Sequence, residues 1–252
     1  MNRSWDLTDV EFDALCQLRA NDEFPQPFRV ISRTRYHADY VREMAETQER
    51  LAPLVEEGLG EVLEVLSWPD LRVLAWAEEV SGPGIRRLQG VRRGSRGFAI
   101  EQVAGDPGDR FRISECDPIE LAQSVVAGLP EEGKGRRGTV LLPDPTNDHI
   151  DYDHGVSRVH DLDDSVHRRS ADFESVPLTW TGTIAVQQGI SRFGPRGRVG
   201  RHLGWRDLSG DGRYVIGMDL PRAAVPVSAA DFVHLINSEI AVVVAAIRDQ
   251  RR

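Results

Sequence analysis

LRVLAWAEEVSGPGIRRLQGVRRGSRGFAIEQV, residues 71–103, decides how this chain reads. Its opening LRVLAWA (71–77) is apolar at nearly every position, as expected of a strand covered on both faces. SGPG at 81–84 and GSRG at 94–97 are turn signals, because glycine and proline supply the backbone angles of tight reversals. Phe98 and Ile100 then alternate with polar neighbours, as do Phe111 and Ile113 in RFRISE (110–115). That period of two marks strands with one buried face. PIELAQSVVAGLP (118–130) closes the series as a helix, with Pro118 in its first turn, where a missing N–H costs nothing.

The same order returns between residues 179 and 247: TWTGTIAVQQ, RVGRHLGWRDL and RYVIGMDL, then the helical SAADFVHLINSEIAVVVAAI. Identity between the two runs is slight, so the echo is one of element order. Asp211–Gly212 is a hairpin signal, both residues tolerating positive φ. Ser228 caps the last helix with Asp231 at its third position, and Phe232, Leu235, Ile236, Ile240, Val243 and Ile247 line one of its faces. Two sheet-plus-helix halves make a broad surface for holding a partner.

Outward from the first half, the chain reads as helical. Thr8 and Glu11 have capping-box spacing, Leu7 and Phe12 sit at staple positions, and the helix ends at NDEFPQP. A second helix is expected over residues 37–58, broken near Pro53, which lacks the N–H the ladder needs. A short third covers 61–66. Residues 130–176 are polar and weakly periodic: a linker or mobile loop with a short strand at TVLLP and one short helix. The expected organisation is a single domain over 1–252, with halves at 1–129 and 177–252.

The net charge of -9 argues against general affinity for nucleic acid or an anionic membrane. Cys16 and Cys116 match no metal or redox spacing and point to a reducing compartment. The N-terminus lacks a signal-peptide core, and the longest apolar run, 240–247, is far below the roughly 20 residues that cross a bilayer. A cytoplasmic protein is expected.

Three clusters invite chemistry. His149, Asp151, Asp153, His154, His160, Asp161, Asp163, Asp164 and His167 are legitimate ligand types for a metal-dependent hydrolase, but no pair has a known ligand spacing, and a solvated acidic linker explains them. Gly194, Gly197 and Gly200 with Arg192, Arg196, Arg198 and Arg201 lack the strand–loop–helix setting of a phosphate cradle and read as a hairpin tip. Arg86, Arg87, Arg92, Arg93 and Arg96 are either solvent-facing strand residues or interface material, as a basic turn that takes an acidic ligand would be. No nucleophile motif is present, so no catalytic residue, metal or cofactor is assigned.

Three stretches carry a family resemblance: VEFDALCQLRANDEFPQPFRV (10–30), residues 71–103, and RHLGWRDLSGDGRYVIGMDL (201–220). In their order and spacing the chain resembles EspG, the cytosolic secretion-associated proteins of type VII (ESX) systems. The resemblance implies an α+β fold: one domain of pseudo-twofold halves around a central, mostly antiparallel sheet flanked by helical bundles. It implies a chaperone, not an enzyme, that binds the apolar helical tip of a PE/PPE-like heterodimer and keeps it soluble for secretion. Carried onto this sequence, the partner-binding residues are Arg92, Arg93, Gly94, Ser95 and Arg96 in the turn, with Phe232, Leu235 and Ile236 on the last helix. A homodimer is left open.

Overall fold

The computed structural model describes residues 3–19, 24–143, 160–217 and 222–251. Thr8 caps helix α1 (Asp9–Gln17): its hydroxyl accepts from the Glu11 N–H at 3.2 Å, and the Glu11 carboxylate accepts from the Thr8 N–H at 2.8 Å. Two donors that a helix start leaves bare are thus satisfied, and the staple pair Leu7 and Phe12 is buried. Directly ahead lies a strand the sequence reading missed, β1 (Ser4–Thr8). Five residues give too short a period-two signal. The strand forms because β5 (Arg110–Cys116) pairs with it antiparallel, Leu7 opposite Phe111.

Helix α2 (His37–Leu54) runs through Pro53 and continues into a wide turn, Val55–Leu59, before α3 (Gly60–Ser67). The break expected at Pro53 falls at Gly58, whose φ of 141° only glycine adopts without strain.

The first meander is β2 (Leu71–Glu79), β3 (Ile85–Arg93), β4 (Arg96–Val103) and β5, closed by α4 (Leu121–Ala127). Helix α4 starts later than its proline suggests. Asp117 accepts the Ile119 N–H on its carboxylate and the Glu120 N–H on its carbonyl, folding Pro118 into a separate turn. Strand β6 (Val140–Leu141) and helix α5 (His160–Glu174) lead into the second meander: β7 (Leu178–Gln188), β8 (Gly200–Leu208), β9 (Gly212–Gly217) and β10 (Ala223–Pro226). The 15 residues of α5 exceed the short helix expected there, and its Phe173 is buried edge-on against Tyr214, ring centres 5.1 Å apart. At the β8–β9 turn, positive φ falls on Gly210 (69°) and Gly212 (144°). Asp211 keeps an ordinary backbone and contributes its carboxylate instead.

Helix α6 (Ala229–Arg251) ends the chain, with Ser228 and Asp231 bonded reciprocally at its start, at 3.0 and 3.2 Å. By length and composition α6 is apolar enough to span a bilayer (mean hydropathy 1.6), a property hidden when only unbroken apolar runs are counted. Here it lies along the sheet with Phe232, Ile236 and Val243 fully buried.

Among the described residues, ten strands form one sheet in the order β1-β5-β4-β3-β2-β7-β8-β9-β10-β6, every neighbouring pair antiparallel. β2 and β7 meet at the centre, Ala75 opposite Ile184. From there the two sides mirror each other. Each half is an edge strand, a helical segment, a four-strand meander and a closing helix, so the pseudo-twofold extends to the edges and helices.

The two faces of this sheet differ. On one, Leu71, Val73, Ala75 and Ala77 of β2 join Ile184, Val186, Leu203 and Trp205 beneath α4 and α6, forming a single core across both halves. On the other, the described helices cover only the flanks. Phe98, Ile100, Phe111 and Ile113 lie under α1–α3, where Phe12 stacks on Phe111 with ring centres 3.9 Å apart. Tyr214, Ile216 and Ala224 pack against the α5 residue Phe173.

Candidate functional site

Between those two flanking cores, the centre of the second face has no helix over it among the described residues. A groove of about 730 Å³ opens there. Its floor is the outward side of the central strands: Leu74 and Trp76 from β2, Thr183, Ala185 and Gln187 from β7, and His202 from β8. Ile85 and Arg87 of β3 and the segment Gln26, Pro27, Phe28 and Arg29 form one wall. LRVLAWA was expected to be covered on both faces. One face is sealed; on the other Leu74 is buried, 7% exposed, while Trp76 is only partly covered, and both line the floor of the groove. Thr183 and Ala185 are small, which leaves depth beside Trp76.

The wall is fixed by Gln102, a buried side chain of β4. Its carbonyl accepts from the Arg29 N–H at 3.1 Å, and its amide donates to the Arg29 carbonyl at 2.6 Å and to Asp109 at 2.5 Å. Arg29 is thereby placed beside Arg87, and Arg87 sits directly across from Trp76 in register. Burial pushes Arg87 below its ordinary pKa, and the Arg29 charge adds to that while Asp109 opposes it.

The predicted turn lies at the end of the sheet, away from the groove floor. Arg93, Gly94, Ser95 and Arg96 are exposed, with Gly94 at φ 58° taking the first place of a two-residue hairpin loop. Its charges are already engaged. Arg93 and Arg96 hold the two oxygens of Glu64 on α3 at 2.9 and 2.8 Å, and the Gly94 N–H bonds Asp70 at 2.8 Å. Arg92 is half-buried and donates to the Pro118 carbonyl at 3.4 Å; burial lowers its pKa and Asp70 works the other way. Phe232 and Ile236 are in the core and Leu235 is partly buried against it, so the three do not join the turn in one surface. Arg86 lies over the Trp180 ring at 5.9 Å.

The glycine–arginine loop is the β7–β8 hairpin tip, where Arg192 stacks on Phe193 at 4.8 Å and Arg201 pairs with Glu239 of α6 at 2.7 Å. Of the His/Asp cluster, His149, Asp151, Asp153 and His154 lie outside the described residues, as do the side chains of His160, Asp161, Asp163 and Asp164. His167 is on α5. Among the described residues no three His, Cys, Asp or Glu side chains form a group that would hold a metal. Burial pushes the Cys16 thiol up to about 12 and raises Cys116 as well, the opposite of the activation a nucleophilic thiolate needs.

Of the groove residues, sequence reading singled out Arg87, in the basic cluster, but not the floor. A signal was present: the central strands are uniformly apolar on one face but carry Arg72, Leu74, Trp76, Thr183, Ala185 and Gln187 on the other, a mixture that suits neither core nor plain solvent.

Comparison with known proteins agrees with this architecture. No curated protein matches the sequence. A solved structure of the Mycobacterium tuberculosis type VII secretion system chaperone EspG5, in complex with a PE25–PPE41 dimer, superposes with a TM-score of 0.55 at 14% identity, over 97% of this chain and 96% of that one. At that identity the likeness speaks for the fold. The sequence itself matches the model of the EspG family over residues 8–237, nearly its whole length, and on that match the chain belongs to the EspG family.

Proposed function

We propose that the protein is a cytoplasmic chaperone of a type VII secretion system, which binds the apolar helical tip of a PE/PPE-like heterodimer and keeps it soluble for export. The observation that carries this reading is the open groove over β2, β7 and β8, where Leu74, Trp76, Ala185 and Ile85 stand among polar side chains at the centre of a sheet whose other face is sealed. An exposed apolar concavity of this kind on a folded chain marks a place for a partner, and a helix laid in a groove is a common recognition mode. The complex formed by the EspG5 relative supports the choice of client. Binding by burial alone needs neither metal nor nucleotide, so the protein acts without catalysis. In this reading the turn from Arg92 to Arg96 borders the client beyond the groove's end, and Phe232, Leu235 and Ile236 hold α6 in place beneath the sheet.

Co-expression with PE/PPE-like heterodimers encoded in the same host tests the proposal. A stoichiometric complex on size exclusion, lost when Trp76→Asp puts a charge on the groove floor, is the expected result. Failure to hold any such heterodimer, together with unchanged type VII export when the gene is deleted, would overturn it.

A further inference from the structure

We infer that the groove selects a client tip in which a carboxylate stands beside the apolar anchor, received by Arg87 and Arg29; the inference rests on the groove being the client site. Several arginines of this acidic chain are paired locally. Arg3, Arg33, Arg42, Arg93, Arg96, Arg137, Arg201 and Arg213 each have a carboxylate oxygen within 3.1 Å. Arg87 and Arg29 have no ion-pair partner among the described residues, although both line the same cavity and Gln102 holds them side by side. The nearest acid acting on Arg87, Asp109, accepts the Gln102 amide instead. The one other titratable group lining the groove is His202, on the strand beyond β7.

Two adjacent cations, one of them half-buried, repel each other and lose hydration. Both penalties are relieved when an anion arrives, and a guanidinium fork offers that anion paired, directional donors. The apolar part of the site fixes where the anion must be. Trp76 and Arg87 are cross-strand partners, and such side chains begin about 4.5–5.5 Å apart. Residues three or four apart on a helix are about 5–6 Å apart. A helical client that places a bulky apolar side chain on Trp76 therefore brings the residue one turn away to Arg87. An acidic residue there is matched, and a basic one is repelled.

Two fluorescent helical peptides test this, each about 18 residues so that the helix holds. They are identical, with one leucine, except for Glu or Gln four residues after it. Titrated against the full chain at low salt and followed by anisotropy, the Glu peptide is expected to bind about tenfold tighter, a ratio that shrinks in high salt as screening grows. Arg87→Gln, and independently the exposed Arg29→Gln, should bring the ratio of the two affinities close to one. If both peptides bind equally to the native protein and Trp76→Ala weakens both, the groove reading stands and charge selection is wrong. If neither peptide binds, or Trp76→Ala changes nothing, the groove reading fails and this inference with it.

Discussion

Replacing Arg213 by methionine puts a buried charge to the test. Arg213 on β9 and Asp207 on β8 are 3% and 0% exposed and joined by two bonds of 2.7 Å. The guanidinium also donates to the Pro130 carbonyl at 2.8 Å and lies over the Trp205 ring at 4.4 Å. One residue therefore joins the second meander to the chain leaving α4 and to the core beneath α6. Breaking a buried pair by removing one partner costs about 3–5 kcal/mol, because the remaining charge is stranded. Removing both removes that penalty and leaves mainly the unsatisfied Pro130 carbonyl, about 1–3 kcal/mol.

The single variant should thus be less stable than the double variant Asp207→Leu/Arg213→Met. With urea slopes of about 1–3 kcal/mol/M, a gap of about 2 kcal/mol separates their midpoints by about 1 M. Acidity supplies a second readout. Burial raises the Asp207 carboxyl, with the Arg213 hydrogen bonds pulling it down, so without Arg213 it rises further. A carboxyl raised on folding contributes stability below its unfolded pKa and loses it as pH climbs through the folded value. Arg213→Met should accordingly be less handicapped at pH 5 than at pH 7. A double variant as unstable as the single, with no pH dependence of the gap, would refute the argument.

Asp211 carries the opposite sign. Burial raises its carboxyl, but bonds from the Arg136 N–H, the Tyr214 hydroxyl and Arg137 outweigh that and hold it below the usual range. Its contribution is present above the ordinary aspartate pKa and is lost as pH falls through the lower folded value. Asp211→Asn should cost about 1–2 kcal/mol in urea melts at pH 7 and leave stability nearly equal to the parent's at pH 2. Gly58→Ala forces a side chain onto φ 141° and places its Cβ 2.6 Å from an Arg3 guanidinium nitrogen. A loss of about 1–3 kcal/mol is expected in thermal melts, and an unchanged midpoint would show that the break there is not required.

What was legible in the sequence follows the physics of each element. The capping box at Thr8 and Glu11 was visible because both partners lie within four residues, and the alternation of Phe98/Ile100 and Phe111/Ile113 was visible because one face of each strand is sealed. β1 was hidden because its strand character comes from β5, a hundred residues away. The Arg92–Arg96 turn was found as a turn, but its neutralisation by Glu64 depends on α3 docking against β3 and β4, which local sequence does not encode. On α6, apolar spacing identified the buried face and so pointed to Phe232 and Ile236, residues that pack inward.

The groove itself follows from combining the pseudo-twofold with unequal helix coverage. Symmetry puts β2 and β7 on the axis, where α4 and α6 from the two halves meet on one face and close it. On the other face each half's helices pack over their own outer strands, since that is where Phe98, Phe111, Tyr214 and Ile216 point. Among the described residues neither helical layer reaches the axis, so Trp76, in the strand with the most apolar sequence, stays partly exposed on that side. A strand whose both faces read as core, placed where helices cover only one, is a sequence expecting company. Apolar side chains as large as Trp76 are normally worth about 1.5–3 kcal/mol when buried, and leaving one partly exposed beside two arginines with no ion-pair partner among the described residues is poorly explained by the stability of the free chain. A partner that brings both apolar surface and negative charge to that axis accounts for the two features together.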